Sequence, residues 1–139
     1  MNNTFSPQLN TAVNASLLAG KSVMKFYSRL DRLKITSKGF NDYVSEADQE
    51  SELIITDALK KSYPKYKITA EESGSNDINS DYEWFIDPLD GTTNFIHGIP
   101  QFAISIGLCK NKVPILGVVY DPFKNELFCA EKGKGALLN

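Results

Sequence analysis

The stretch Trp84-Phe85-Ile86-Asp87-Pro88-Leu89-Asp90-Gly91-Thr92-Thr93 runs three apolar residues into two carboxylates, a proline, a glycine and two hydroxyls. Two readings are open. Asp-Pro and Asp-Gly are ordinary turn signals, so the segment reads as a buried strand followed by a turn. The same residues also supply oxygen ligands, because Asp87 and Asp90 at the mouth of a strand could grip a metal ion. Two further acids, Glu71 and Glu72, close the candidate strand YKITA (66–70). If that strand neighbours EWFI (83–86) in one sheet, their C-terminal ends gather Glu71, Asp87 and Asp90. Like charges that close raise one another's pKa, and a divalent cation removes the penalty. An all-oxygen set selects Mg²⁺, Ca²⁺ or Mn²⁺ over zinc. The DPLDG turn would aim the Leu89 carbonyl at the same point. Gly91-Thr92-Thr93 has the look of a helix start, whose N–H groups favour a phosphate. Together these are parts for metal-assisted phosphoryl hydrolysis, and in this context the metal reading is favoured.

The elements that must position these residues divide into a helical front and a strand-rich back. Ser6-Pro7 is an N-cap with proline at the first helical position. Leu9, Val13, Leu17, Met24 and Tyr27 then recur at roughly helical spacing as far as about Leu30. Residues 34–44 are polar and read as short strands around a flexible loop. Ser45-Glu46-Ala47-Asp48 fits a capping box, and Ile54, Ile55, Ala58 and Leu59 continue a second helix that Pro64 stops. Beyond Pro64 the period changes. FAISIGLC (102–109), PILGVVY (114–120) and ELFCA (126–130), joined by short connectors, predict an antiparallel meander. The reading is α+β: two helices on one face of a largely antiparallel sheet built after residue 66. Its predicted core is Leu9, Val13, Leu17, Ile54, Ala58, Phe85, Ile104, Ile106, Val118 and Tyr120.

A chain of 139 residues fits one domain with a real core. Its net charge of −2 gives no basic footprint, which argues against nucleic acid or an anionic membrane as partner. Cys109 and Cys129 show no ligand spacing and read as small buried hydrophobes. The opening MNNTFSPQLN lacks the charged and apolar regions of a leader, and no stretch is long enough to span a bilayer. A cytoplasmic protein is the expectation.

AEESG (70–74), DYVSEAD (42–48) and WFIDPLDGTTNFIHGIPQFAISIGL (84–108) resemble the inositol monophosphatase family, and the likeness covers essentially the whole chain. The resemblance implies the N-terminal half of the layered αβαβα fold of inositol monophosphatases and sugar phosphatases. It implies that Glu71, Asp87 and the Leu89 carbonyl bind a first Mg²⁺ and that Asp87 and Asp90 bind a second. Glu71 would help hold a third, weaker ion, and Mn²⁺ or Ca²⁺ would substitute in binding. Thr92, paired with Asp48, would orient and activate the attacking water, with Glu71 also in the catalytic set. The N–H groups of Gly91 and Thr92, with Asp90, would bind substrate. Lys38 and Asp42 would lie on a mobile loop beside the third metal. The implied reaction is hydrolysis of inositol 1-phosphate, a small phosphate monoester, to inositol and phosphate, inhibited by lithium. The implied full-length form is a homodimer.

Bland competitors stand beside several of these roles. Asp48 suits a capping box without any chemistry. Lys38 and Asp42 in a polar loop read equally as solvated charges, Glu72 as a supporting or solvent-facing acid, and His97 is assigned no role. Family members are longer, and a Trp-Asp motif in their second half supplies an aspartate that completes the second metal site. Nothing in this chain can be that residue, so residues 1–139 read as an N-terminal metal-binding domain, and GALLN is an unusually apolar ending. A sheet edge left bare by that loss would invite pairing. Two other functions fit: a nucleotide 3′-phosphatase or sugar bisphosphatase of the same superfamily, and a non-catalytic regulatory or binding module.

Overall fold

The computed structural model describes residues 5–139; Met1–Thr4, part of the opening stretch read for a leader, lies outside them. Helix α1 (Pro7–Tyr27) begins as predicted, with the Ser6 hydroxyl accepting from the Leu9 N–H and Pro7 at the first position. Its inward face differs from the expected stripe. Leu9, Ala12, Ala15, Ser16, Ala19, Gly20 and Val23 are buried, whereas Leu17 is 37% exposed. Small residues form the contact, so the helix approaches the sheet closely, and Val13, Met24 and Tyr27 flank it half-buried. At Gly20 an added Cβ would run into the Tyr120 ring, which packs directly on the helix backbone.

After a 3-10 turn at Leu30–Arg32, strands β1 (Ile35–Gly39) and β2 (Asp42–Ser45) make a separate antiparallel hairpin. Helix α2 (Glu46–Ser62) opens on the predicted capping box and ends at Tyr63, with Lys60 and Lys61 in its last turn. Its buried face is Ala47, Asp48, Ser51, Glu52, Ile55 and Leu59; Ile54 and Ala58 pack against the core from the flank.

The remaining strands are β3 (Lys67–Ala70), β4 (Gly74–Ser75), β5 (Tyr82–Asp90), β6 (Ala103–Lys110), β7 (Val113–Asp121), β8 (Glu126–Glu131) and β9 (Gly135–Leu138), with the short helix α3 (Thr92–Ile96) after β5. They form a seven-stranded sheet in the order β4-β3-β5-β6-β7-β8-β9, with β3 and β5 parallel and the other pairs antiparallel. The meander of β6, β7 and β8 is as predicted; β4 and β9 extend the sheet beyond it.

Both long helices pack on one face of this sheet, α1 over β6 and β7 and α2 over β5. Trp84, Ile86, Ile104, Ile106, Leu108, Val118 and Tyr120 point into that layer. Each such side chain contributes about 1.5–3 kcal/mol when fully buried. Phe85 does not join them: it is 44% exposed on the opposite face. Successive strand residues alternate sides, so with Trp84 and Ile86 inward the residue between them must face out. Cys109 and Cys129 are free thiols, half-buried rather than buried. Among the described residues no helix is long and apolar enough to cross a membrane.

Candidate metal centre

Parallel pairing of β3 with β5 sets Ala70 beside Ile86, and the Glu71 N–H donates to the Ile86 carbonyl at 3.1 Å. Glu71 therefore leaves its strand next to Asp87, the juxtaposition anticipated from the two strand ends. The segment after Ile86 is not the tight turn expected from its Asp-Pro and Asp-Gly pairs. β5 continues to Asp90, with an irregularity against β6 between the Asp87–Ser105 and Asp90–Ala103 pairs. An extra residue on one strand is a bulge, where a proline lacking an N–H is tolerated. The Ser51 hydroxyl of α2 donates to the Pro88 carbonyl at 2.7 Å in the buried interior and pins the bulge to the helix layer.

Gly91 then turns the chain from strand to α3 with φ +87°, a left-handed conformation that suits glycine, and a Cβ there would lie 2.8 Å from the Gln101 carbonyl oxygen. This turn delivers Thr92. Its hydroxyl donates to Asp48 Oδ1 at 2.7 Å, and the Leu89 carbonyl at 3.0 Å is an alternative acceptor for the same proton. Asp48 Oδ2 meanwhile accepts from the Ser45 N–H at 2.9 Å and the Ser45 hydroxyl at 2.6 Å. Burial pushes the Asp48 carboxyl above its usual range, and hydrogen bonds from Ser45 and Thr92 oppose the shift.

Glu71, Asp87, Leu89, Asp90 and Thr92 line one cleft of about 230 Å³, which Asn41, Asp42 and Tyr43 of the hairpin also line. Asp87 is the stressed member. Burial, a hydrogen bond shared with Glu71 and the charges of Glu71 and Asp90 push it up to about 8, while the Leu89 N–H pulls the other way. Among the described residues no group of three or more His, Cys, Asp or Glu side chains is arranged to hold a metal ion, so the expected gathering of Glu71, Asp87 and Asp90 brings together only its first two members closely. The available donors are the hydrogen-bonded Glu71 and Asp87, the nearby charge of Asp90 and the Leu89 carbonyl. Excess negative charge, all-oxygen donors and room for water fit a hard cation such as Mg²⁺, which keeps part of its hydration shell.

Lys38 is not in the cleft. Its ammonium pairs with Glu72 at 3.0 Å, and that hydrogen bond pushes Lys38 above its usual range. Burial raises Glu72 against the pull of Lys38. The Glu72 N–H donates to Glu52 Oε1 at 2.9 Å, so Glu72 ties the hairpin to the end of β3 and to α2. Asp42 does line the cleft. His97 is exposed and bonds only locally, its Nδ1 lying 2.7 Å from the Thr93 carbonyl. Ser51 was not singled out from the sequence. A signal was available: Asp48, Ser51 and Glu52 continue the apolar stripe of Ile55 and Leu59, and polar residues on a buried helix face need a reason.

The model of the inositol monophosphatase family matches residues 5–139. The chain belongs to the inositol monophosphatase family. The Nus factor SuhB of Haemophilus influenzae is 48% identical over 137 residues, covering 97% of this chain and 51% of that protein. The crystal structure of the extragenic suppressor protein suhB from Bartonella henselae superposes with a TM-score of 0.94 at 44% identity, covering 96% of this chain and 52% of that one. The inositol monophosphatase from Anabaena sp. PCC 7120 superposes with a TM-score of 0.78 at 40% identity, covering 95% and 46%. The chain thus spans about half the length of the relatives it matches. These solved structures share the inositol monophosphatase fold, of which the helices and sheet described above are one part.

Proposed function

We propose that the cleft is the metal-binding half of a Mg²⁺-dependent phosphatase that hydrolyses inositol 1-phosphate. The observation that carries the reading is Thr92, hydrogen-bonded to a buried Asp48 on the rim of a cleft in which burial, Glu71 and Asp90 hold the Asp87 carboxyl above its usual range. Thr92 donates its one proton to Asp48, which turns its oxygen lone pairs outward to accept from a water and orient it. Asp48 is held by Ser45 through its other oxygen, so it fixes the Thr92 rotamer without moving. Glu71, Asp87, Asp90 and the Leu89 carbonyl would hold Mg²⁺. The bound cation would neutralise the acids and lower the barrier to attack on the phosphate. Gly91 and Thr92 line the cleft, and their backbone N–H groups would meet the phosphate oxygens. The sugar bisphosphatase and nucleotide 3′-phosphatase readings use the same residues and differ in the alcohol.

Residues 1–139 lack the aspartate that the family resemblance places in a second half. By themselves they are expected to bind Mg²⁺ or Mn²⁺ measurably and to release phosphate from inositol 1-phosphate at background rate. Two-metal phosphoryl transfer needs the attacking and leaving oxygens held in line, and that positioning accounts for much of the rate. Calorimetric metal titration beside a phosphate-release assay, with and without EDTA and lithium, tests this. Robust lithium-inhibited turnover by the 139-residue chain would show that the second half is dispensable. No metal binding at all would remove the phosphatase reading.

The Haemophilus relative carries the name Nus factor, and that favours a second reading as a binding module of the transcription machinery. Metal binding without turnover is compatible with it. Association of a turnover-silent chain with transcription complexes is the measurement that separates the two.

A further inference from the structure

The acids around the cleft do not end with Glu71, Asp87 and Asp90. Glu72 follows Glu71 directly, and Asp42 lines the cleft from the hairpin. The family resemblance implies a third, weaker ion near Glu71, with Lys38 and Asp42 beside it. The donors present here do not fit that ion. Mg²⁺ is usually held by one or two carboxylates whose oxygens are free to face it. Both Glu72 oxygens are engaged by the Lys38 ammonium, at 3.0 and 3.3 Å. Glu71 shares a hydrogen bond with Asp87. Of these acids, that leaves Asp42.

A positive charge already stands among them. The hydrogen bond to Glu72, and after it the charges of Glu72, Asp42 and Glu71, hold Lys38 protonated against desolvation. The ammonium is fixed from two sides. Lys38 belongs to β1, where its neighbours Ser37 and Gly39 pair with Tyr43 and Asp42 of β2. Its partner Glu72 has a side chain only 13% exposed, and the Glu72 N–H donates to Glu52 Oε1 of α2 at 2.9 Å. A lysine ammonium is a compact point charge with three donors, so it can serve two carboxylate oxygens as a metal ion would. A divalent ion brought alongside would be repelled by it and would have to displace it.

Resting on the metal reading of the cleft, we propose that Lys38 is a built-in cation of this centre. Its ammonium neutralises Glu72 and offsets Asp42 and Glu71 in place of a third ion, and the cleft loads only the ions held by Glu71, Asp87, Asp90 and the Leu89 carbonyl. The hairpin thereby has an anchor that needs no metal, because Lys38 ties β1 to the end of β3 whether or not the cleft is loaded.

Titration of the 139-residue chain with Mn²⁺, followed by the electron paramagnetic resonance signal of the free hydrated ion, counts the bound ions. Lys38→Met should bind one ion more than the parent, with a Kd of about 1 mM. Lys38→Arg, which keeps the charge, should bind the parent's number. In the parent, any binding beyond the cleft ions should be at least about tenfold weaker than the added site of Lys38→Met. Should Lys38→Met disturb the hairpin, seen as an altered circular dichroism spectrum, Lys38→Gln decides alone, since it keeps a donor for Glu72 without the charge. A parent that already takes up the additional ion at about 1 mM overturns the proposal. So does a Lys38→Arg chain that gains the ion, because loss of charge would then not be the cause. Asp87→Asn separates this outcome from failure of the metal reading. Ions lost with Asp87→Asn but none added by Lys38→Met refute the built-in cation alone. A parent with no Asp87-dependent ion removes the metal reading and the built-in cation with it.

Discussion

Replacing Asp87 by asparagine separates the metal-site reading from a purely structural one. Asp87 has its carboxyl pushed from 3.8 up to about 8 by burial and by Glu71 and Asp90. A group whose folded pKa lies above its unfolded value contributes stability below the unfolded pKa and loses it as pH rises through the folded one. The metal-free protein should therefore weaken steadily between about pH 4 and pH 8 and level off above. Each pKa unit is worth about 1.36 kcal/mol, and screening at a half-buried group reduces the full effect to roughly 1–3 kcal/mol. For a chain of this size that is a fall of roughly 3–15 °C in Tm. Asp87→Asn has no proton to lose, so its profile in EDTA should be flatter by that amount and its Tm at pH 8 higher than that of the parent. Saturating Mg²⁺ should raise the parent most at pH 8, where the cation replaces the missing proton, and should barely move the variant. Other acids, Asp48 and Glu72 among them, shape both profiles alike, so the difference between parent and variant isolates this group. Melting curves in EDTA and in MgCl₂ from pH 5 to pH 9 make the measurement. Equal Mg²⁺ stabilisation of parent and variant would refute the assignment of Asp87 as a ligand.

Two glycines carry predictions of fold. Gly91→Ala keeps φ +87° only under strain and brings its Cβ 2.8 Å from the Gln101 carbonyl oxygen, so a loss of about 1–3 kcal/mol in chemical denaturation is expected, with loss of Mg²⁺ stabilisation as Thr92 shifts. Gly20→Ala should gain about 1 kcal/mol of helix propensity and lose more, roughly 1–3 kcal/mol, by driving the Tyr120 ring from the helix. A more stable Gly20→Ala chain would mean that the ring moves aside at little cost.

Local rules made part of this molecule legible. A capping box, a proline stop and a change of period located α2 and the strands, because each depends on residues a few positions apart. The meeting of Glu71 with Asp87 was legible because both acids terminate strands that proved to be parallel neighbours. What was misread depends on partners distant in sequence. Large apolar residues mark a stripe that includes Leu17, whereas the contact uses Ala12, Ala19 and Gly20, whose smallness is what allows the approach. Trp84-Phe85-Ile86 is apolar throughout, so alternation cannot say which of its residues faces the helices. The bulge at Pro88 is a mismatch with β6, and nothing within DPLDG encodes the length of its partner. Strand β4 is two residues in a polar loop, and β9 draws its pairing from β8.

Asp48 shows why structural and chemical readings of one residue need not compete. A carboxylate has two oxygens. Oδ2 accepts from the Ser45 N–H and hydroxyl, which is the capping box in full. That bond fixes the plane of the carboxylate, and the plane aims Oδ1 at Thr92. Burial raises the free energy of the charged form, and the donors from Ser45 and Thr92 recover part of it, so Asp48 is held by the partners it positions. Breaking the cap would thus loosen Thr92 before it unwinds α2, because the first turn of a long helix frays at modest cost while a side-chain hydrogen bond depends on geometry within a few tenths of an ångström. The same logic extends to Ser51, which holds the Pro88 carbonyl from the adjacent turn of α2. One helix N-terminus thereby fixes both ends of the segment from Asp87 to Thr92, and the cleft takes its shape from the element whose cap was legible first.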